Sequence, residues 1–143
     1  MVRVILVGPP RAGKSTYARE LRAQGVPTFC GDPLSKVKDP EPGEVVYLPE
    51  CYDIKPDSGD RFIADHWFTM PGPWVCEGVL MARALRKVVQ DNRVRILDGV
   101  RIVRFTSQHA HAVTKPGQVT MAKAIDTVWS QIAGELKHLT EIR

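Results

Sequence analysis

One stretch constrains this chain more than any other: Gly8-Pro9-Pro10-Arg11-Ala12-Gly13-Lys14-Ser15-Thr16, set directly behind the run Val2 to Val7. That run is apolar and rich in β-branched residues, with Arg3 as its one charge, and it stops at a glycine. A strand buried on both faces of a parallel sheet has this pattern. Behind the stretch, Lys14 to Gln24 places Tyr17, Ala18, Leu21 and Ala23 among Arg19, Glu20 and Arg22, an amphipathic helix that ends at Gly25. Val26 to Cys30 then reads as a second short strand. Strand, glycine loop, helix and strand make a βαβ unit.

The spacing Gly, four residues, Gly-Lys-Ser allows successive backbone N–H groups to point inward at a phosphate, and the helix start adds partial positive charge. Gly8 and Gly13 permit that backbone, and Arg11 and Ala12 complete the loop, with Arg11 placed to lean over a nucleotide. Lys14 reaches the β- and γ-phosphates of a nucleoside triphosphate, Ser15 offers its hydroxyl to Mg²⁺, and Thr16 is placed near the α-phosphate. An ordinary turn can match the same spacing. Here the match stands between a predicted strand and a predicted helix, which is the context phosphate binding requires.

The rest of the 143 residues keeps the alternation of strand and helix. Asp39 to Asp60, with its prolines and glycines, reads as a partly irregular insertion around the strand-like patch "EVVYL". Asp60 to Met70 forms a helix that "PGP" breaks. Trp74 to Gly78 is a strand, and in "VLMARALRKVVQ" Met81, Ala84, Leu85 and Val88 fall on one helical stripe. Val100 to Ser107 is the last clear strand. The final helix, about Gln118 to Leu139, repeats Met121, Ile125, Val128, Trp129, Ile132, Leu136 and Leu139 at three- and four-residue steps. The expected fold is α/β: one domain over residues 1–143, a mostly parallel central sheet between helix layers, with right-handed connections.

Twenty Lys and Arg against sixteen Asp and Glu give a net charge of +4, which favours phosphate-bearing partners. Cys30, Cys51 and Cys76 are odd in number without close pairing, and no apolar run nears the ~18 residues of a membrane span. A soluble protein of the reducing cytoplasm, with no membrane partner, is expected.

In open parallel sheets ligands collect beyond the carboxyl ends of the strands, so the polar residue after each strand is a candidate. Asp32 follows the second strand and is placed to take the proton of an attacking hydroxyl; the alternative is an Asp-Pro turn starter, since Pro33 follows. Glu77 ends "WVCEG" and either holds Mg²⁺ through water, binds an acceptor, or serves as an acid at a helix start. Asp98 in "RILDG" looks more like a turn residue. Arg83, Arg86, Lys87 and Lys115 are the cations available to a migrating phosphoryl group, with Arg83 preferred because it lies within two helical turns of Glu77. Trp67 is suited equally to base stacking and to a core, whereas Phe68 and Trp129 read as core. His109 and His111 lack the companions of a zinc site.

"GPPRAGKSTYARE" followed by Asp32 resembles the P-loop kinases, in particular polynucleotide kinases, over the first third of the chain. "GPWVCEGVLMARALRK" and "TKPGQVTMAKAIDTVW" resemble small bacteriophage kinases that phosphorylate 5-hydroxymethyluracil within DNA. The resemblance implies a P-loop NTPase three-layer sandwich, ATP and Mg²⁺, a DNA partner, Lys14 and Ser15 at phosphates and metal, and Asp32 as general base. Only "TSQHAHAVTKPGQ" occupies the place of the arginine-rich lid of nucleotide kinases. A kinase for a free small molecule and a nucleotide-dependent switch without an acceptor remain as alternatives.

Overall fold

The computed structural model describes residues 1–9, 12–31, 42–46, 59–106 and 116–143. Its sheet is built from β1 (Arg3–Val7), β2 (Thr28–Cys30), β3 (Glu44–Val46), β4 (Trp74–Glu77), β5 (Arg101–Arg104) and β6 (Thr140–Ile142). The helices are α1 (Lys14–Ala23), α2 (Gly59–Phe62), which widens into a π turn over Ile63–Trp67, α3 (Met81–Gln90) and α4 (Pro116–Leu136). Short 3₁₀ turns at Val94–Leu97 and Lys137–Leu139 lead into β5 and β6. The strand order is β3-β2-β4-β1-β5-β6, and every pairing is parallel.

The pleat of β1 sorts the core into two layers. Val4 and Leu6 face α1, packing with Ala18, Val26, Val75, Val103 and Phe105. Ile5 and Val7 face the other way, with Trp74, Cys76 and Ile102, onto α2, α3 and α4. Side chains on a strand alternate between faces, so a β1 that is apolar throughout demands cover on both sides.

Between β1 and β2 the chain travels toward the β3 edge with α1 on one face. From β3 to β4, β4 to β5 and β5 to β6 it travels toward the β6 edge with its helices on the opposite face. Reversing direction and changing face together keeps these parallel crossovers of one hand. The change of face falls beside β1, whose outgoing connection leaves to one face while those of both neighbours leave to the other. A crevice opens beyond the carboxyl end of the strand where that happens.

Several boundaries differ from the sequence pattern: β2 starts at Thr28 within the expected Val26 to Cys30, and β5 spans Arg101–Arg104 within the expected Val100 to Ser107. The apolar period runs to Leu139, but the helix ends at Leu136 and Thr140–Ile142 adds a sixth strand, with Arg143 N–H donating to Arg104 O at 2.7 Å. Three residues are too few for a period to register. The patch "EVVYL" supplies the edge strand β3, beside Thr28–Cys30. Cys30 and Cys76 are buried on β2 and β4, and burial pushes the Cys76 thiol well above its ordinary pKa; Cys51 lies outside the described residues.

α3 buries Met81, Ala82, Ala84, Leu85 and Val88, and Leu85 has no solvent exposure. Leu85→Ala is expected to lower stability by about 2–5 kcal/mol, read from the urea midpoint. A loss under ~1 kcal/mol would mean that α3 does not seal this layer.

Candidate active site

β1 ends at Val7 and the chain turns at Gly8. A Cβ on Gly8 would stand 2.7 Å from the carbonyl oxygen and 2.8 Å from the Cβ of Phe105. The cause is β-type pairing carried one residue past β5, where Phe105 N–H donates to Val7 O at 2.7 Å. Backbone fills the space a side chain needs, so Gly8→Ala is expected to destabilise by about 1–3 kcal/mol through overpacking. The check is a lowered urea midpoint at unchanged slope, and wild-type stability would contradict the close approach.

At the far side of the loop, Gly13 has φ 98°, a left-handed conformation that glycine takes without the Cβ penalty. It precedes α1, and its carbonyl accepts the Tyr17 N–H at 3.1 Å. Ala12 is buried against the α1 layer. Lys14, the first residue of α1, is only 9% exposed, and its Nζ donates to Gly8 O at 2.7 Å. The side chain therefore reaches back across the loop to the end of β1. Ser15 and Thr16 sit on the exposed side of the same turn. The first-turn N–H groups of a helix lack intrahelical acceptors. In α1 that turn holds no acidic residue, and Gly13 gives no side-chain cap. A helix start without its own carboxylate, beside a buried ammonium, is suited to an anion.

β4 runs beside β1 with Ile5 level with Cys76, so Glu77 is level with Leu6 and Gly78 with Val7. Glu77 is buried to 7% exposure, and its carbonyl accepts the Gly31 N–H at 2.8 Å, which ties the end of β2 to the end of β4. Packing at Gly31 is close: a Cβ there would meet the Met81 methyl at 3.0 Å and Ile63 Cδ1 at 3.2 Å. The structure thus brings the loop, Lys14 and Glu77 to one edge of the sheet. Asp32 follows Gly31 directly but lies outside the described residues, as do Arg11 and Lys115.

Arg83 is not in the loop. It stands exposed on α3 and lines a cleft of about 530 Å³ between α3 and α4. Arg86, on the same wall, donates to Gln131 Oε1 at 3.1 Å. Trp67 resolves its two readings in favour of the core: it is 3% exposed and packs on Phe29, with ring centroids 5.5 Å apart. His66 is exposed and lies over Phe62. Asp98 is a turn residue at the opposite edge of the sheet, where its carbonyl accepts Arg3 Nη2 at 2.8 Å.

Two residues of β5 and its extension border the site without having been singled out by sequence. Phe105 presses on Gly8, and its ring meets Tyr17 edge-on at 6.0 Å. Arg104, level with Val7 and buried, donates to Phe105 O at 2.7 Å, pairs with Asp126 of α4, and lies over the Trp129 ring. A cation at a strand position facing an apolar helix layer was the available signal.

Among the described residues no three His, Cys, Asp or Glu side chains gather to hold a metal ion, and no helix is long and apolar enough to cross a membrane. No family model matches the sequence, and no curated protein matches it either. Fold and site define an α/β protein with an all-parallel sheet flanked by helices and a strand–glycine–helix junction, suited to an anion, where the outgoing connections of neighbouring strands change face.

Proposed function

We propose that this protein is a P-loop kinase that transfers the γ-phosphate of ATP, with Mg²⁺, to a hydroxyl on a nucleic-acid base. One observation carries it: Lys14, buried at the start of a helix with no first-turn carboxylate, folds across a loop whose two glycines are each needed there. A triphosphate fits this junction, since Lys14 supplies a cation within reach of the loop and the first-turn N–H groups of α1 supply donors. Gly8, Arg11, Ala12, Gly13 and Thr16 complete the cradle. Ser15 and Glu77 are the residues that would hold Mg²⁺, Glu77 through water, and the metal neutralises phosphate oxygens during transfer.

The chain's own part in the chemistry is positional and electrostatic. As the acceptor oxygen bonds to the γ-phosphorus, the bond to the bridging oxygen breaks and its electron pair leaves with ADP. Asp32 takes the acceptor's proton, and Arg83 adds positive charge on the acceptor side. The tie between Gly31 and Glu77 supports Asp32 in this role, because it fixes the residue before Asp32 beside the end of β4. The three-layer arrangement, with α1 on one face and α2, α3 and α4 on the other among the described residues, supports the P-loop NTPase fold.

The acceptor we favour is the hydroxymethyl group of 5-hydroxymethyluracil in DNA, on the strength of the sequence resemblance and the net charge of +4. The test is incubation with γ-labelled ATP, Mg²⁺ and DNA bearing thymine, 5-hydroxymethyluracil or 5-hydroxymethylcytosine, beside the matching nucleosides and nucleotides. Label confined to 5-hydroxymethyluracil DNA is the expected result. Label on a 5′ end or a mononucleotide would overturn the acceptor, and fast ATP hydrolysis with no label transferred would overturn the kinase.

A further inference from the structure

The cleft between α3 and α4 has a composition that neither the sheet nor the phosphate loop requires. Its floor is apolar, made by Leu80, Ala82, Met121, Ile125 and Val128. Among the described residues its charged lining is Arg83 and Arg86, three positions apart on one face of α3. At about 530 Å³ it has the size of a small-molecule site.

Its place in the fold is equally specific. Val79 and Leu80, which begin one wall, directly follow Glu77 and Gly78 at the carboxyl end of β4. Gly117 and Thr120 on the other wall belong to the first turns of α4, which starts beyond the carboxyl end of β5. Both walls therefore rise from the sheet edge that carries the phosphate loop. Gly78 is level with Val7 on the neighbouring strand, and Val79 is one residue further on. Strand spacing and one Cα step put the Val79 Cα, at the rim of the cleft, within about 9 Å of the end of β1.

We propose that this cleft is the acceptor site and that it takes one nucleotide unit, with the base against the apolar floor and its phosphate on Arg83 and Arg86. The apolar walls suit the flat face of a base, and paired guanidinium groups suit a phosphate. An aliphatic ligand would make no use of the guanidinium groups, and a purely anionic ligand none of the apolar floor. The inference rests on the kinase proposed above, because the acceptor hydroxyl must lie within reach of the loop. A unit inside DNA must swing out of its stack to enter; a free monophosphate need not.

Gly117 gives a way to block the cleft without disturbing the fold, since a Cβ there meets nothing within 4 Å. Ala124, exposed on the same wall, gives a second. The experiment measures binding of fluorescein-labelled 5-hydroxymethyluracil DNA, and of 5-hydroxymethyl-dUMP, to the wild type, Gly117→Trp, Ala124→Trp and the double variant Arg83→Ala/Arg86→Ala. ATP affinity and phosphate transfer are measured in parallel. The expected result is at least tenfold weaker acceptor binding by both tryptophan variants, with ATP affinity within twofold of wild type. The arginine variant should also bind DNA with a log-affinity against log-salt slope shallower by roughly 1 to 2. Loss on DNA alone identifies a polymer acceptor, and loss on the monophosphate alone a free nucleotide; either supports the cleft. Unchanged acceptor binding in both tryptophan variants, or no acceptor binding by the wild type, overturns it. Weakened binding in the variants with no label transferred by the wild type keeps the cleft and removes the kinase.

Discussion

Lys14→Ala is expected to cut phosphate transfer by on the order of 10³-fold or more while the protein stays folded. The Nζ lies 2.7 Å from Gly8 O at the start of α1, in a place only 9% exposed. A charge there is already desolvated and oriented, so in the proposed kinase it would stabilise charge on a phosphoryl group without reorganising at the moment of reaction. Nucleotide binding offers a second readout. At about one hundred times its dissociation constant, ATP stabilises the folded state by about 2.7 kcal/mol, which for a chain of this size is a melting shift of roughly 5–10 °C. The variant should lose most of that shift. Lys14→Met, which keeps the length of the side chain and removes its charge, should behave alike. If either variant keeps a tenth of the wild-type transfer rate, Lys14 is not the phosphate cation.

Asp32→Asn should separate transfer from binding. Asparagine keeps the shape and cannot take a proton, so a general base changed in this way costs roughly 10²–10⁴-fold in turnover. The ATP-dependent melting shift should stay within ~1 °C of wild type, since in the proposed kinase the loop and α1 hold the phosphates. Full turnover by Asp32→Asn would assign Asp32 to the turn with Pro33 and leave Glu77, tied to Gly31 at 2.8 Å, as the acid at the site. Loss of both turnover and the melting shift would make Asp32 part of the nucleotide cradle.

Much of the architecture was legible because its signals are local. β1 is apolar on both faces, α1 follows a phosphate-loop spacing, and α3 and α4 repeat their apolar residues over two or more turns. Periods of this length survive tertiary context. The two short edge strands were harder. β3 and β6 have three residues each, and pairing with β2 and β5 creates them more than any pattern of their own. Trp67 illustrates the same limit at a single residue. Its type suits a base or a core, and only the position of Phe29 across the π turn decides for the core.

The sequence by itself determined the strand–glycine loop–helix junction. Gly8, Gly13, Lys14 and Ser15 lie within eight consecutive residues, and so short a segment between a strand and a helix has little freedom in how it folds. Only the tertiary structure decided what stands beside it. Parallel order β4-β1-β5 sets Glu77 next to the loop, extends β5 so that Phe105 forces a glycine at position 8, and joins α3 to α4 around a cleft bearing Arg83 and Arg86. Those neighbours lie some seventy to one hundred residues from the loop in sequence. Their proximity comes from strand pairing and crossover hand, which act between segments and leave no mark on either segment alone.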